Sequence, residues 1–426
     1  MQTLKLAKKY DKYPEYKDSG VEWLGKIPNE WKLNNLQHLF TKVKRMGFEN
    51  EQLLSIYRDL GVIIKSSRDD NHNKASDDLS TYQLVECGDL AINKMKAWQG
   101  SIAVSEHRGI VSPAYFICKP LSKNNSRFIH YLLRSDIYIK QYERNSGGVR
   151  NDQWDLNYER FRKLEAGIPE IYEQTKIAKF LDGKTSSIDQ IIERKERLIE
   201  FLREKRTAQI KNIIKSCDVK GKEYTKEKIK HVIKSIESGV WGENPLGNND
   251  DIKCLRVADF DYANLSFSNV ETIRNNERLS KRKILQYGDI LVEKSGGGEK
   301  TPVGRAILFN SNERMVCANF VDVVRVDRNK ILPDFLVFYL SSLYSERINT
   351  KYIKQNTGIQ NMDIKAYFGE IVSYPDLKVQ KEIIDDIQKK MALFDQSIKK
   401  VEETIEFLKE FKASLISNTV TGKIKI

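Results

Sequence analysis

The octet CGDLAINK begins at Cys87, and YGDILVEK begins at Tyr287. Both hold Gly-Asp, an apolar run and a closing lysine, 200 residues apart. Glycine and aspartate ahead of aliphatic residues read as a turn feeding a buried strand. A chain of 426 residues exceeds one ordinary core, so the repeated phrase points to a tandem duplication.

The two halves stay in step downstream. SGGVRN from Ser146 aligns with NTGIQN from Asn356, which sets Arg150 against Gln360 and Asn151 against Asn361. GIPEIYEQTKIAKFLD from Gly167 aligns with SYPDLKVQKEIIDDIQ from Ser373, so that Pro169 meets Pro375 and Gln174 meets Gln380. The offset drifts from 200 to 210 and settles at 206, as loop insertions would make it do.

Each half closes on a long proline-free stretch with helical rhythm. In the second, positions 384, 387, 391, 394, 398, 401, 405, 408 and 415 are apolar and only Lys412 breaks the heptad seam, a coiled-coil pattern. The first seam holds Ala178, Leu181, Ile188, Ile192, Ile199 and Leu202 but is interrupted by Thr185, Lys195, Arg206 and Gln209. Apolar residues outside it widen the stripe, so a partner on more than one side is expected. The residues assigned to partner binding are Ile191, Leu198, Phe201, Phe407 and Phe411. Helices of about 40 residues from Gln174 and from Val379 would each span about 60 Å, with a break or kink expected near Gly183.

The segments before these helices are β-rich, including YQLVECGDLAI, IAVSEHRGIVSPAYFICK and RAILFNSNERMVCANFVDVVRVD, each half adding a helix such as RFIHYLLRSDIYIKQY or DFLVFYLSSLYSERINTKY. The expected fold is α+β, in the order globular body, long helix, globular body, long helix. If the second helix returns antiparallel along the first, the molecule is a pseudo-twofold dumbbell. Two bodies held about 60 Å apart would reach DNA grooves less than two helical turns from one another.

A net charge of +13 favours a polyanionic partner, chiefly nucleic acid. MQTLKLAKKYDKY has no signal-peptide core and no eighteen apolar residues run together, so no membrane association and a cytoplasmic location are expected. Cysteines 87, 118, 217, 254 and 317 form no CxxC pair, which argues against a disulfide framework or zinc site and for buried or inert thiols.

YPEYKDSGVEWLGKIPNEWKL from Tyr13, NKMKAWQGS from Asn93, GIVSPAY from Gly109, EQTKIAKFLDGKTSSIDQII from Glu173 and VTGKI from Val420 together cover both halves. As a set they resemble the specificity subunit of type I restriction-modification enzymes. The resemblance implies an N-terminal target-recognition domain over 1–172, a spacer helix region over 173–216, a second recognition domain over 217–377, and a second spacer helix with its tail over 378–426. It implies two unlike DNA half-sites, helices that set their spacing, and two docked methyltransferase (modification) subunits through which restriction subunits join. S-adenosylmethionine, ATP and magnesium would belong to those partners, leaving no cofactor and no catalysis to this chain. The polar first seam and the shorter turn before Pro375 depart from the pattern. The YPEY opening has no counterpart in the second half, and the tail SNTVTGKIKI together with residues 1–30 would replace the linker KNIIKSCDVKGKEYTKEKIK.

Two loops per half carry candidate DNA contacts. After the Gly-Asp strand come Asn93, Lys94, Lys96, Trp98 and Gln99 in one half, and Lys294, Ser295, Glu299, Lys300 and Thr301 in the other. Lysines suit phosphates and amides suit base edges, whereas the plainer reading is a solvated hairpin with Trp98 in the core. The second loop offers Arg150, Asn151 and Gln153, and Gln360 and Asn361, expected to face outward around turns at Gly148 and Gly358, or merely to cap the next segment.

Enzyme signals are weak. SGGGEKT lacks the Gly-Lys pair of a phosphate-binding loop, and neither an Asn-Pro-Pro-aromatic motif nor GxSxG occurs. Asp334 with Asp363 and Lys365 loosely fits a magnesium nuclease pattern. A DNA-binding coiled-coil scaffold and, less favoured, such a nuclease are the alternatives.

Overall fold

The computed structural model describes residues 10–58, 60–67, 76, 78–148, 154–216, 223–277, 279–356 and 358–426. The chain divides into two compact units, Met1–Arg194 with Glu403–Ile426, and Lys195–Glu402.

Each unit is built on a four-stranded antiparallel sheet. In unit one the order is Phe40–Val43, Tyr115–Pro120, Leu90–Asn93, Ile102–Val104; in unit two it is Ile233–Ser238, Val321–Val326, Ile290–Glu293, Ala306–Leu308. The repeated octet therefore supplies the same inner strand of the same sheet twice.

Its chemistry is the same in both copies. Gly88 and Gly288 take φ of 91° and 88°, a region closed to most side chains. The next residue folds back: Asp89 Oδ2 accepts from Glu86 N at 2.9 Å, and Asp289 Oδ2 accepts from Gln286 N at 2.9 Å. Both carboxylates are buried and each meets an arginine, Arg45 at 2.5 Å and Arg325 at 2.9 Å. Removing one member of so buried a pair costs about 3–5 kcal/mol, which accounts for the aspartate in the repeated phrase.

The long helices are Ile171–Ser216 and Leu377–Val420. The break expected at Gly183 is absent. Leu181 and Ile188 on either side are buried in the unit-one core, and such packing outweighs the roughly 1 kcal/mol cost of one helical glycine. Within unit one Lys412 Nζ meets Asp189 at 2.7 Å, while Lys425 N donates to the carbonyl of Asp11. Within unit two Arg203 meets Glu402 at 3.6 Å and Arg206 meets Asp395 at 3.3 Å. As numbering rises on the first helix it falls on the second, so the helix segments in unit two run antiparallel. Seam residues Ile384, Ile387, Met391, Ile405 and Leu415 are buried, as are Ala178, Leu181, Ile188 and Ile199.

RFIHYLLRSDIYIKQY forms two helices, Ser126–Leu133 and Asp136–Arg144, with buried Ser135 at the break. In unit one the C-terminal tail lies against the N-terminal segment: Ile424 shares a core with Tyr13, Leu24, Ile27 and Trp31, and Lys423 Nζ donates to the carbonyls of Leu24 and Lys26. A Cβ on Gly422 would stand 2.3 Å from Pro28 Cδ, so the closeness of tail and opening depends on that glycine. Of the cysteines, 118, 254 and 317 are buried, and burial pushes the Cys118 thiol up to about 12 and that of Cys254 to about 11. Cys87 is exposed, in the turn ahead of the strand; Cys217 lies outside the described residues.

Candidate nucleic-acid interface

In unit one the chain leaves Leu90–Asn93 through a tight turn into the short 3-10 helix Ala97–Gln99. Asn93 Oδ1 accepts from Met95 N at 3.2 Å and fixes the turn. Lys96 and Gln99 are exposed, Asn93 and Lys94 half-buried. Trp98 is half-buried, its Nε1 donating to the Met95 carbonyl at 3.1 Å and its ring lying 5.8 Å from Trp154. Arg150, Asn151 and Gln153 of the second loop lie outside the described residues.

Unit two places the equivalent loop over a buried charge cluster. Glu293, 1% exposed, accepts from Arg305 at 3.0 Å, and the guanidinium covers the Tyr262 ring at 3.6 Å. Lys294 does not reach outward as expected. Its ammonium is held by Asp322 at 2.7 Å and by Ser238, because the strand geometry turns it back across the sheet. Glu299, Lys300 and Thr301 are exposed.

The hairpin Ile353–Asn356 and Ile359–Met362 joins Ser295–Gly296 in a three-stranded ribbon. Strand alternation sorts its residues. Lys354, Asn361 and Ser295 stand in one cross-strand row, with Ser295 Oγ donating to Asn361 Oδ1 at 2.7 Å. Asn361, Lys354 and Ile359 are exposed, whereas Gln360, expected outward, is buried and accepts from Val303 N at 3.2 Å. The period of two forces that choice, since Asn361 and Gln360 cannot share a face.

The ladder also corrects the alignment of the two halves. Leu156 N donates to the Lys94 carbonyl, and Met362 N donates to the Lys294 carbonyl, both at 2.8 Å. Trp154, not Arg150, is therefore the counterpart of Gln360, and Asp155 that of Asn361. Glycine and asparagine recur in most turns, so their match across GGVRN and TGIQN carried little register information.

Three exposed groups near these loops were not singled out from sequence. Asn319 and Phe320 form the turn whose carbonyl, at Phe320, receives Lys294 N at 2.9 Å; unit one has Pro113 and Ala114 there. Lys354 joins the row above. The Trp241 ring lies 4.0 Å from the Arg274 guanidinium, which also donates to Asn244 at 2.7 Å. An aromatic within the Gly- and Asn-rich SGVWGENPLGNND was the available signal.

Asp363 caps the helix Ile364–Tyr367 through Ala366 N and pairs with Lys354 at 3.2 Å, while burial raises the Asp334 carboxyl. The cap and pair give Asp363 a structural job. Among the described residues no group of three or more His, Cys, Asp or Glu side chains is placed to hold a metal ion, and no helix is long and apolar enough to cross a membrane. Of the residues assigned to partner binding, Ile191, Leu198, Phe201 and Phe407 are 40–51% exposed, and Phe411 is half-buried with its ring stacked 6.4 Å from Phe407.

The two units thus make a duplicated α+β fold in which two sheets share one strand order and carry unlike loops. The chain is 22% identical over 427 residues to the StySPI specificity subunit of Salmonella potsdam, covering 94% of this chain and 90% of that protein. It is 19% identical to the EcoKI specificity subunit of Escherichia coli K12, with the same coverage. A solved chain, described under complex assembly and conformational transition of the type I R-M system, shares the fold at TM-score 0.63 and 13% identity, with 92% of this chain and 98% of that one covered. No protein-family model matches. In sequence and fold the chain is thus similar to specificity subunits of type I restriction enzymes.

Proposed function

We propose that the chain reads a split, asymmetric DNA site, each unit taking one half-site, and that the paired helices fix the spacing and dock two modification subunits. Methyl transfer, translocation and cutting, with S-adenosylmethionine, ATP and magnesium, belong to those partners and to restriction subunits joined through them. This chain binds and positions.

The observation that carries the reading is the duplication itself: one sheet order and one Gly-Asp turn, with different groups at matching stations. Pro113 and Ala114 stand against Asn319 and Phe320, and Asp155 against Asn361. Equal scaffolds with unequal edges suit two different sequences, because phosphate contacts position and base-edge contacts specify. The candidate contacts in unit one are Lys94, Lys96, Gln99 and the loop holding Arg150, Asn151 and Gln153. In unit two they are Lys300, Lys354, Asn361 and Phe320.

Binding of the chain with its modification subunits to duplex DNA, titrated against salt, tests this. A steep fall of affinity with salt and a preference for one gapped sequence are expected, since phosphate contacts release counterions. A coiled-coil scaffold would show neither. If the chain were a magnesium nuclease, it would cut DNA alone and lose that on Asp334→Ala or Asp363→Ala.

A further inference from the structure

The polar residues that interrupt the helix seams form one device written twice. In unit two Arg206 is 5% exposed, and its Nη2 donates to Asp395 Oδ2 on the second helix at 3.3 Å. In unit one Lys412 Nζ donates to both oxygens of Asp189 on the first helix at 2.7 Å. Arg206 and Lys412 are 206 residues apart, and so are Asp189 and Asp395. Each tie is thus the other's counterpart in the duplication, with the roles of the two helices exchanged.

Neither tie is well placed to stabilise the fold. Arg206 loses solvation, which pulls its pKa down, and its Nε has no hydrogen-bond partner. Asp395 is about half exposed, so solvent screens its attraction to the buried guanidinium and the pair returns little of that desolvation cost. The Lys412 pair is half-exposed, where ion pairs contribute little. A register role explains both. Apolar seams such as Ile384, Ile387 and Met391 against Ile210 and Ile214 tolerate sliding, because one heptad of slip sets apolar on apolar again. A charge in the seam accepts one alignment only. Arg206 Nη2 also donates to Asn264 Oδ1 at 2.7 Å, on the loop where Leu265 takes φ of 51°, so in unit two the globular body is tied into the same lock.

We propose that Arg206 with Asp395, and Lys412 with Asp189, are positioning residues that hold the distance between the two half-sites to a single length. The inference rests on the reading of the chain as a two-site DNA specificity subunit. One base pair advances about 3.4 Å and one helical residue about 1.5 Å, so one heptad of slip, about 10.5 Å, is about three base pairs.

The test uses the full chain, co-produced with its modification subunits, carrying Arg206→Met with Asp395→Leu and Lys412→Met with Asp189→Leu. Melting and a genome-wide methylation map are measured beside wild type and beside the charge-keeping Arg206→Lys with Lys412→Arg. The apolar variant is expected to melt no lower than wild type and to keep the bases of both half-sites. Methylation of sites whose gap is about three base pairs too long or too short should rise about tenfold, while the charge-keeping variant holds the single gap. An unchanged gap in the apolar variant, a lowered melting temperature, or loss of methylation altogether would overturn the lock. A wild-type map without any gapped motif would instead overturn the reading on which it rests.

Discussion

Gln174 and Gln380 perform the same task in the two units. Each donates its Nε2 to the carbonyl of the proline five residues before it, Pro169 at 2.9 Å and Pro375 at 2.8 Å. Each accepts through Oε1 from a backbone N–H where a helix of the globular body begins, Asn125 at 2.8 Å and Leu332 at 2.8 Å. Both side chains are buried, so each long helix is fastened to its body by a fully bonded amide. Gln380→Ala would strand the Leu332 N–H and the Pro375 carbonyl away from water, at about 1–3 kcal/mol per unsatisfied group. Thermal melting should show unit two destabilised, and Gln380→Glu should recover less than the native amide because a carboxylate cannot donate. A melting curve unchanged by Gln380→Ala would remove the fastening role.

The Gly-Asp turn makes a second prediction. Asp289→Ala leaves Arg325 without its carboxylate and should destabilise by about 3–5 kcal/mol. Asp89→Ala should act alike in unit one through Arg45. Denaturant unfolding followed by probes in each unit would locate the two losses separately.

For DNA, the inward turn of Gln360 moves the specificity prediction onto Asn361. Asn361→Ala is expected to relax one base position of the second half-site by about 1–3 kcal/mol. Lys300→Ala and Lys354→Ala should weaken all sequences alike and each lower the salt slope by about one. Gln360→Ala should loosen the ribbon instead, since its carbonyl holds Val303 N. Binding isotherms at several salt concentrations, on matched and single-mismatch duplexes, distinguish these outcomes.

Acid should loosen one fastening of unit two first. Glu346 accepts from Lys215 and from Lys211 at 3.0 Å, and these hydrogen bonds hold its carboxyl below the ordinary glutamate value. A carboxyl depressed in the folded state contributes stability above its unfolded pKa, and that contribution is lost as pH falls through the folded value. Melting temperature should therefore drop more steeply below about pH 4.5 in the native chain than in Glu346→Gln. Identical acid profiles would show the clasp to be idle.

Much of this was legible in the residues. The duplication, the two long helices and the antiparallel sense of their segments in unit two followed from the octets and the heptads. Side-chain direction was not legible where a turn precedes a strand: Gln360 and Asn361 differ by one step of a period-two pattern whose start the sequence does not mark. Lys294 looked free because Asp322, 28 residues on, is a neighbour only through sheet pairing. Phe320 passed unnoticed because an exposed aromatic beside buried Val321 and Val323 reads as core. The seam charges Arg206 and Lys412 were visible as departures from a heptad, and their aspartate partners could be found only once the helices were laid together.

Exchanging residues 217–372 for the equivalent segment of another specificity subunit should change the second half-site and leave the first and the gap as they were. Sequencing the methylated motifs of such a hybrid would report all three at once. A change in the first half-site would move the boundary between the readers.

The most direct measurement is a methylation map of the host genome with the gene present and deleted. Its presence should add one motif: two short unlike sequences separated by a fixed run of unspecified base pairs. A gained motif that is continuous or palindromic, or no gained motif in cells that also make the modification subunits, would contradict two unlike readers set apart by paired helices.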